Sequence, residues 1–192
     1  RVCQQELIEA ADRLGIAVMG PNCAGFANFV DGIFAFAFLV EERDRKGNIG
    51  MISQSGQIVL GGLDSPGMGF SHVISSGNSC NVKVEDYLDF LVEDEDTKVV
   101  AAYMEGVARP EKLTAVFQKA ALKKKPVIVL KTGRSAKSQE LAASHTGSLS
   151  GADKVLRAIF KRYGVVEAGD LEELMSLAAA FSWLEEMPKG ER

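Results

Sequence analysis

Residues 48–67, NIGMISQSGQIVLGGLDSPG, contain a short apolar strand, a polar turn and a helix in immediate succession. The strand is predicted over residues 50–53, and Gln54-Ser55-Gly56 forms the turn. The apolar residues that follow recur at the spacing of one helical face, and Pro66-Gly67 ends the helix. This stretch is therefore a strand-turn-helix unit of the kind that builds α/β proteins.

The same alternation continues through the rest of the chain. Asp170 is a good N-cap for the last helix, and Glu173 completes a capping-box pair with it. The strands are nearly continuous apolar runs, as expected for strands buried on both faces of a sheet. We predict an α/β fold: a flavodoxin-like, doubly wound parallel sheet with helices on both faces. The further strands are predicted at 70–75, 98–104, 126–130 and 165–166, and the helices at 84–93, 110–123, 152–163 and 171–186.

The first 47 residues do not fit this alternation. Residues 2–13 have the pattern of an amphipathic helix, and residues 16–19 that of a short strand. One helix and one strand cannot enclose a core, so we expect residues 1–25 to be the last piece of another domain in a longer chain. We expect residues 26–47 to be an irregular linker with a possible short strand at 34–40. The α/β domain is then 48–187, and 188–192 begins a linker to the next domain.

The composition excludes several classes of protein. The chain has 192 residues, 46% of them hydrophobic, and a formal net charge of -4, which argues against a nucleic-acid or anionic-membrane surface. No apolar run approaches the roughly 18 residues of a membrane-spanning helix. The three cysteines have no metal or redox spacing, and only two histidines are present. We expect a cytoplasmic protein with no metal site.

Polar residues follow several predicted strands, and in this topology they meet at one edge of the sheet. Ser55-Gly56 begins a helix, where unpaired N–H groups and the helix dipole favour an anion. The alternative for Ser55 is an ordinary N-cap. Glu105-Gly106 follows another strand, and a carboxylate there could orient an imidazole. The alternative for Glu105 is a solvated loop carboxylate.

The segment from Lys131 to Lys154, KTGRSAKSQELAASHTGSLSGADK, lies between a strong strand and a helix. A loop of this length in a compact domain is usually functional. It carries His145, whose ring nitrogens can act as a nucleophile or a proton carrier near neutral pH. Thr146 and Gly147 offer hydroxyl and backbone donors to an anion. A surface loop with an incidental histidine is the alternative, but His145, the anion site and Glu105 together suggest a phosphohistidine site.

Six motifs in order along the chain resemble those of the NDP-forming acyl-CoA synthetases, the superfamily of succinyl-CoA synthetase and ADP-forming acetyl-CoA synthetase. The resemblance implies that His145 is phosphorylated, that Glu105 contacts it, and that Ser55 and Gly56 hold the phosphate. It also places Asn22 near the CoA end of the site and makes residues 1–25 the end of a Rossmann-like CoA-binding domain. The motifs are Gly20-Pro-Asn-Cys23, Gly50-Met-Ile-Ser-Gln-Ser-Gly56, Ser76-Gly-Asn78, Tyr103-Met-Glu-Gly106, Lys131-Thr-Gly-Arg134 and Ala142-Ala-Ser-His-Thr-Gly-Ser-Leu149.

The resemblance implies an acid–CoA ligase that interconverts acyl-CoA, ADP and phosphate with a carboxylic acid, CoA and ATP. CoA and the nucleotide are then substrates, and Mg²⁺ accompanies the nucleotide in an ATP-grasp domain or subunit. The expected partners are that domain, the rest of the CoA-binding domain and further copies in an oligomer. The chain alone is expected to be inactive. A regulatory CoA-sensing domain fused to an acetyltransferase and a flavin-binding flavodoxin-like module remain alternatives.

Overall fold

The structure, a computed structural model, describes residues 2–38, 45–132 and 149–184. Within these ranges strands and helices alternate from residue 46 onwards, as the sequence predicts. The helices are α1 (Val2–Leu14), α2 (Gly56–Leu63), α3 (Val84–Glu93), α4 (Pro110–Leu122), α5 (Leu149–Tyr163) and α6 (Leu171–Trp183). The strands are β1 (Gly25–Asn28), β2 (Ile33–Phe36), β3 (Lys46–Ser53), β4 (Phe70–Ser75), β5 (Val99–Met104), β6 (Val127–Lys131) and β7 (Val166–Ala168).

The seven strands form one sheet in the order β2-β1-β4-β3-β5-β6-β7. The five strands β3 to β7 are parallel to one another and follow the flavodoxin-like order 2-1-3-4-5. The predicted flavodoxin-like, doubly wound fold is therefore confirmed. The chain order reverses between β3 and β5, because the chain first moves to β4 on one side and then returns to β5 on the other.

Two layers of helices cover the sheet, and each layer encloses its own apolar core. One core contains side chains of α2 and α6, such as Val59 and Leu174, which pack on Met51 of β3. The other contains side chains of α3, α4 and α5, such as Phe117 and Phe160. Successive β5 residues alternate between the two cores, so the period of two in an extended strand serves both layers.

The N-cap of the last helix is Asp170, as predicted. The Asp170 carboxylate accepts a hydrogen bond from the Glu173 backbone N–H at 2.8 Å. The Glu173 carboxylate accepts from the Gly169 N–H at 2.5 Å, one residue before the position that a standard capping box uses. These bonds fix the start of α6 directly after β7.

The predicted strand at 16–19 is wrong, since these residues adopt no regular secondary structure. The Asn81 side chain takes the place of a neighbouring strand. Its Oδ1 accepts from the Val18 N–H at 2.9 Å, and its Nδ2 donates to the Ile16 carbonyl at 2.8 Å. A side chain that satisfies both backbone groups removes the need for a sheet partner.

Residues 25–36, almost all of which lie in the predicted irregular linker 26–47, contain two strands of the sheet. β1 and β2 form a hairpin, and β1 pairs antiparallel with β4. The sheet is therefore mixed, with an antiparallel pair at one edge. Ala27 and Phe29 are buried in the α2–α6 core, which explains why this stretch is so apolar. The strand expected at 34–40 is observed at Ile33–Phe36. The domain boundaries themselves remain predictions, and residues 39–44 and 185–192 lie outside the described residues.

Candidate active site

The candidate site lies at the carboxyl ends of β3 and β5, where the strand order reverses. In open α/β sheets this is the position at which ligands bind, because the loops leaving the two strands diverge and open a crevice. Ser53 ends β3 beside Tyr103 of β5. An open cleft of about 770 Å³ lies above this point.

Ser55 and Gly56 form the first turn of α2 on one side of the cleft. Ser55 is the N-cap, in an extended conformation, and its hydroxyl makes no capping bond. The turn is held instead by Ser53, whose hydroxyl accepts from the Ser55 N–H at 3.0 Å and donates to the Ser55 carbonyl at 2.7 Å. A Cβ on Gly56 would approach Ala24 Cβ only to 3.6 Å, so the protein around it does not require glycine. The positive end of the α2 helix dipole thus faces the cleft.

Glu105 lies on the other side of the cleft, in a segment that we call the Glu105 loop (residues 105–109). The Glu105 side chain is exposed. Burial raises the pKa of Tyr103, and the Glu105 carboxylate raises it further through its charge and a hydrogen bond with the tyrosine. Lys131 Nζ donates to the Glu105 carbonyl at 2.9 Å. The carboxylate is therefore presented to the cleft from a backbone that has several partners.

Asn22 reaches the cleft from a turn that packs on the loop after β4. The Pro21 carbonyl accepts from the Asn78 N–H at 2.8 Å, and the Gly20 carbonyl accepts from the Cys80 N–H at 2.7 Å. The Asn22 and Asn78 side chains are themselves joined by a hydrogen bond of 3.4 Å. These contacts place the amide side chains of Asn22 and Asn78 at the same cleft.

Four of the seven predicted site residues line this one cleft: Asn22, Ser55, Gly56 and Glu105. The other three, His145, Thr146 and Gly147, lie outside the described residues. The segment that contains them leaves β6 beside the Glu105 loop, since the Thr132 N–H donates to the Met104 carbonyl at 3.1 Å. The segment that leads to His145 thus begins next to the cleft.

Gln54 also lines the cleft, although the sequence predicts no role for it. Its Oε1 accepts from the N–H groups of Glu105 and Gly106, at 2.6 and 3.1 Å. The sequence signal for Gln54 is its position in the turn after the first predicted strand of the α/β domain, at the sheet edge where polar strand ends are expected to meet. Phe38 and Leu60 also line the cleft and add an apolar wall that was not predicted.

A second cleft, of about 680 Å³, lies at the opposite edge of the sheet, where β3 and β4 begin. It is lined by Gly47, Gly69 and Trp183 among others, and by none of the predicted site residues.

No group of three or more His, Cys, Asp or Glu side chains in the described ranges could hold a metal ion. None of the described helices combines the length and apolar character needed to cross a membrane.

Comparison with known proteins identifies relatives of the chain. Residues 46–181 match the family described as succinyl-CoA ligase like flavodoxin domain. The chain is 38% identical to the alpha subunit of acetate–CoA ligase (ADP-forming) II of Pyrococcus furiosus, covering 98% of this chain and 41% of that one. It is 40% identical to acetate–CoA ligase (ADP-forming) I of Archaeoglobus fulgidus, covering 91% of this chain and 26% of that one.

A solved structure shows the same fold at similar coverage. It is the acetyl-coenzyme A synthetase 1 of Candidatus Korarchaeum cryptofilum in complex with phosphate and ADP, with a TM-score of 0.85 and 32% identity over 98% of this chain and 41% of that one. The two ligases are named as ADP-forming, and the chain spans less than half of the length of all three relatives. The chain belongs to the succinyl-CoA ligase-like flavodoxin domain family, within the superfamily of NDP-forming acyl-CoA synthetases.

Proposed function

We propose that this chain is the phosphohistidine-bearing part of an NDP-forming acid–CoA ligase. The observation that carries the proposal is the cleft at the strand reversal, which brings together Asn22, the helix start at Ser55-Gly56, and Glu105. An anion-binding helix start opposite a carboxylate suits a phosphoryl group that moves to and from an imidazole. The full-length relatives are named as ADP-forming ligases, which supports the same reaction here.

The proposed reaction has three steps. Phosphate attacks the acyl carbon of acyl-CoA, so that the C–S bond breaks, an acyl phosphate forms and CoA leaves. A ring nitrogen of His145 then attacks the phosphorus; the P–N bond forms as the P–O bond to the acyl group breaks, and the carboxylate is released. An oxygen of the ADP β-phosphate finally attacks the phosphorus, which breaks the P–N bond and gives ATP.

Each residue of the cleft has a role in this scheme. The first-turn N–H groups of α2 have no helical acceptor, so Ser55 and Gly56 would hold the oxygens of the phosphoryl group, together with Thr146 and Gly147. Glu105 would orient the imidazole of His145 and stabilise its charged form. Asn22 would lie towards CoA, at the end of the cleft that the Gly20–Cys23 turn forms.

The rest of the reaction requires other parts of the enzyme. We propose an ATP-grasp domain or subunit that binds ADP with Mg²⁺, a CoA-binding domain of which residues 1–25 are the end, and an oligomeric parent. Leu7, Leu14 and Ile16 are apolar side chains with exposed fractions of 37, 64 and 53%, which supports a further packing partner for α1 and the residues that follow it. The 192-residue chain mixed with ATP, CoA and short acids is therefore expected to form no acyl-CoA.

The test is phosphoryl labelling of the full-length protein with radioactive ATP. Label should appear on the tryptic peptide 138–154, in which His145 is the only histidine, and it should be acid-labile and base-stable. His145→Ala should abolish it while the circular dichroism spectrum stays unchanged. Label that persists on this peptide in His145→Ala, or a well-folded wild-type enzyme that takes up no label there, would refute the proposal.

A further inference from the structure

The Glu105 loop is held by side chains at both of its ends. Gln54 Oε1 accepts from the N–H groups of Glu105 and Gly106, at 2.6 and 3.1 Å. Glu85 Oε1 accepts from the N–H groups of Ala108 and Arg109, at 2.8 and 3.0 Å. Four backbone donors of a five-residue loop are thus bound by two side chains.

The two ends of the loop differ in what else fixes them. At the Arg109 end the acceptor Glu85 is fully buried, the Arg109 guanidinium pairs with Asp86 at 2.9 Å, and α4 begins at the next residue. That end is therefore part of the packed structure. At the Glu105 end the loop is exposed, and Gln54 lies in the turn that begins α2. Lys131 of β6 donates to the Glu105 carbonyl, and Tyr103 of β5 forms a hydrogen bond with the Glu105 side chain. The Gln54 side chain differs from these partners because it joins the Glu105 backbone to the turn that begins α2.

Gln54 also joins the two halves of the proposed site. Its backbone N–H donates to the Tyr103 carbonyl at 3.3 Å, so it is anchored to β5 as well as to β3. The next two residues, Ser55 and Gly56, form the proposed anion site. The pairing of β3 with β5 brings the two sides together, and the Gln54 side chain then joins the anion-binding helix start to the backbone that carries the Glu105 carboxylate.

We propose that Gln54 is a positioning residue, which acts by holding the Glu105 backbone at a fixed distance from the start of α2. The proposal rests on the proposed function, because it assigns Gln54 a part in phosphoryl transfer through Glu105. This positioning role requires a side chain with an acceptor oxygen at the end of two methylene groups. Glutamate meets this requirement, whereas methionine fills a similar volume without accepting from two N–H groups.

The first measurement is amide hydrogen exchange of the full-length protein, followed on peptides that cover residues 103–107. In Gln54→Met the amides of Glu105 and Gly106 should exchange about 5–10 times faster, the factor expected for a net hydrogen bond of ordinary strength. Gln54→Glu should keep the wild-type rates. Gln118→Met is the matched control, because Gln118 is exposed on α4 and the same substitution there should change nothing. Unchanged exchange in Gln54→Met would overturn the proposal.

The second measurement is a double-mutant cycle on the rate of His145 labelling. Gln54→Met alone should slow labelling about tenfold, since small displacements of a catalytic group have effects of this size or larger. In the Glu105→Gln background the same substitution should slow it by no more than about twofold, because Gln54 acts through the Glu105 carboxylate. Equal effects in both backgrounds, or no effect in the wild type, would overturn the positioning role.

The two measurements separate this inference from the proposed function. A folded wild-type enzyme without label on His145 refutes the proposed function and, with it, any role of Gln54 in phosphoryl transfer. The exchange rates then still decide whether Gln54 holds the loop. Normal wild-type labelling combined with unchanged exchange or additive effects refutes the Gln54 proposal alone.

Discussion

Gly77 connects the stability of the fold to the geometry of the cleft, and Gly77→Ala tests that connection. Gly77 has a φ of +56°, in the left-handed region. A Cβ added there would lie 2.5 Å from the Pro21 carbonyl oxygen and 2.4 Å from that of Asn22. Because both obstacles are backbone atoms, the turn that carries Asn22 and the loop after β4 would have to separate.

The expected cost has two parts. The left-handed conformation costs an L-residue other than glycine about 1–2 kcal/mol. Separating the two turns weakens the bonds from the Asn78 and Cys80 N–H groups to the Pro21 and Gly20 carbonyls, each worth about 0.5–1.5 kcal/mol net. Gly77→Ala should therefore lower the free energy of unfolding by about 2–5 kcal/mol, the sum of these two terms.

Gly67→Ala is the matched control for the conformational part. Gly67 has a φ of +74°, but a Cβ there would meet no atom within 4 Å. Gly67→Ala should lower the free energy of unfolding only by the cost of the left-handed conformation, about 1–2 kcal/mol. Both variants are compared with the wild type by urea unfolding monitored by far-UV circular dichroism. Equal destabilisation by the two substitutions would show that the packing of the two turns against each other contributes nothing to the free energy of unfolding, and would refute the predicted clash at Gly77.

Three further predictions concern charges at and near the cleft. Burial alone would raise the pKa of Asp86, but hydrogen bonds from Lys112 and the Lys83 N–H and the charge of Arg109 lower it below the usual value of 3.8. Asp86→Asn removes this charge and should cost about 1 kcal/mol of unfolding free energy at pH 7, the upper end of the range for partly exposed ion pairs. The wild-type advantage should be complete above about pH 5 and disappear as the pH falls through the lowered pKa, and an advantage independent of pH would contradict this. Glu105→Gln should slow phosphoryl transfer in the full-length enzyme by about tenfold to a hundredfold, the loss of one charge-assisted hydrogen bond, and wild-type kinetics would leave Glu105 a mere loop carboxylate. In crystals grown with sulfate or phosphate, an anion should lie on the N–H groups at Ser55-Gly56, and an empty helix start at high sulfate would count against the mechanism.

The prediction from sequence was most accurate where local pattern and tertiary position agree. From β3 onwards each strand is a short apolar run bounded by turn residues, and each helix buries one face, so the periodicity alone located the elements to within a few residues. The helix α3 was predicted at its observed bounds, Val84–Glu93. The same rule places Ser55 and Glu105 at one cleft, because the carboxyl ends of parallel strands share one edge of the sheet.

The errors fall where a distant partner decides the local structure. Residues 25–36 become strands because β4, more than 40 residues further along the chain, provides an edge for β1. Residues 16–19 fail to become a strand because Asn81 satisfies their backbone. Nothing in the local sequence distinguishes these two outcomes, since both stretches are short and apolar.

The sequence by itself determined the order of strands and helices, the edge at which the polar strand ends meet, and the motifs that indicate the family. These properties depend on residues that are neighbours along the chain. The tertiary structure alone decided that the sheet is mixed, that the Gly20–Cys23 turn packs on the loop after β4, and that Gln54 holds the Glu105 loop across the strand reversal. Gln54 and Glu105 are 51 residues apart, and a hydrogen bond over that separation exists only once β3 and β5 have paired.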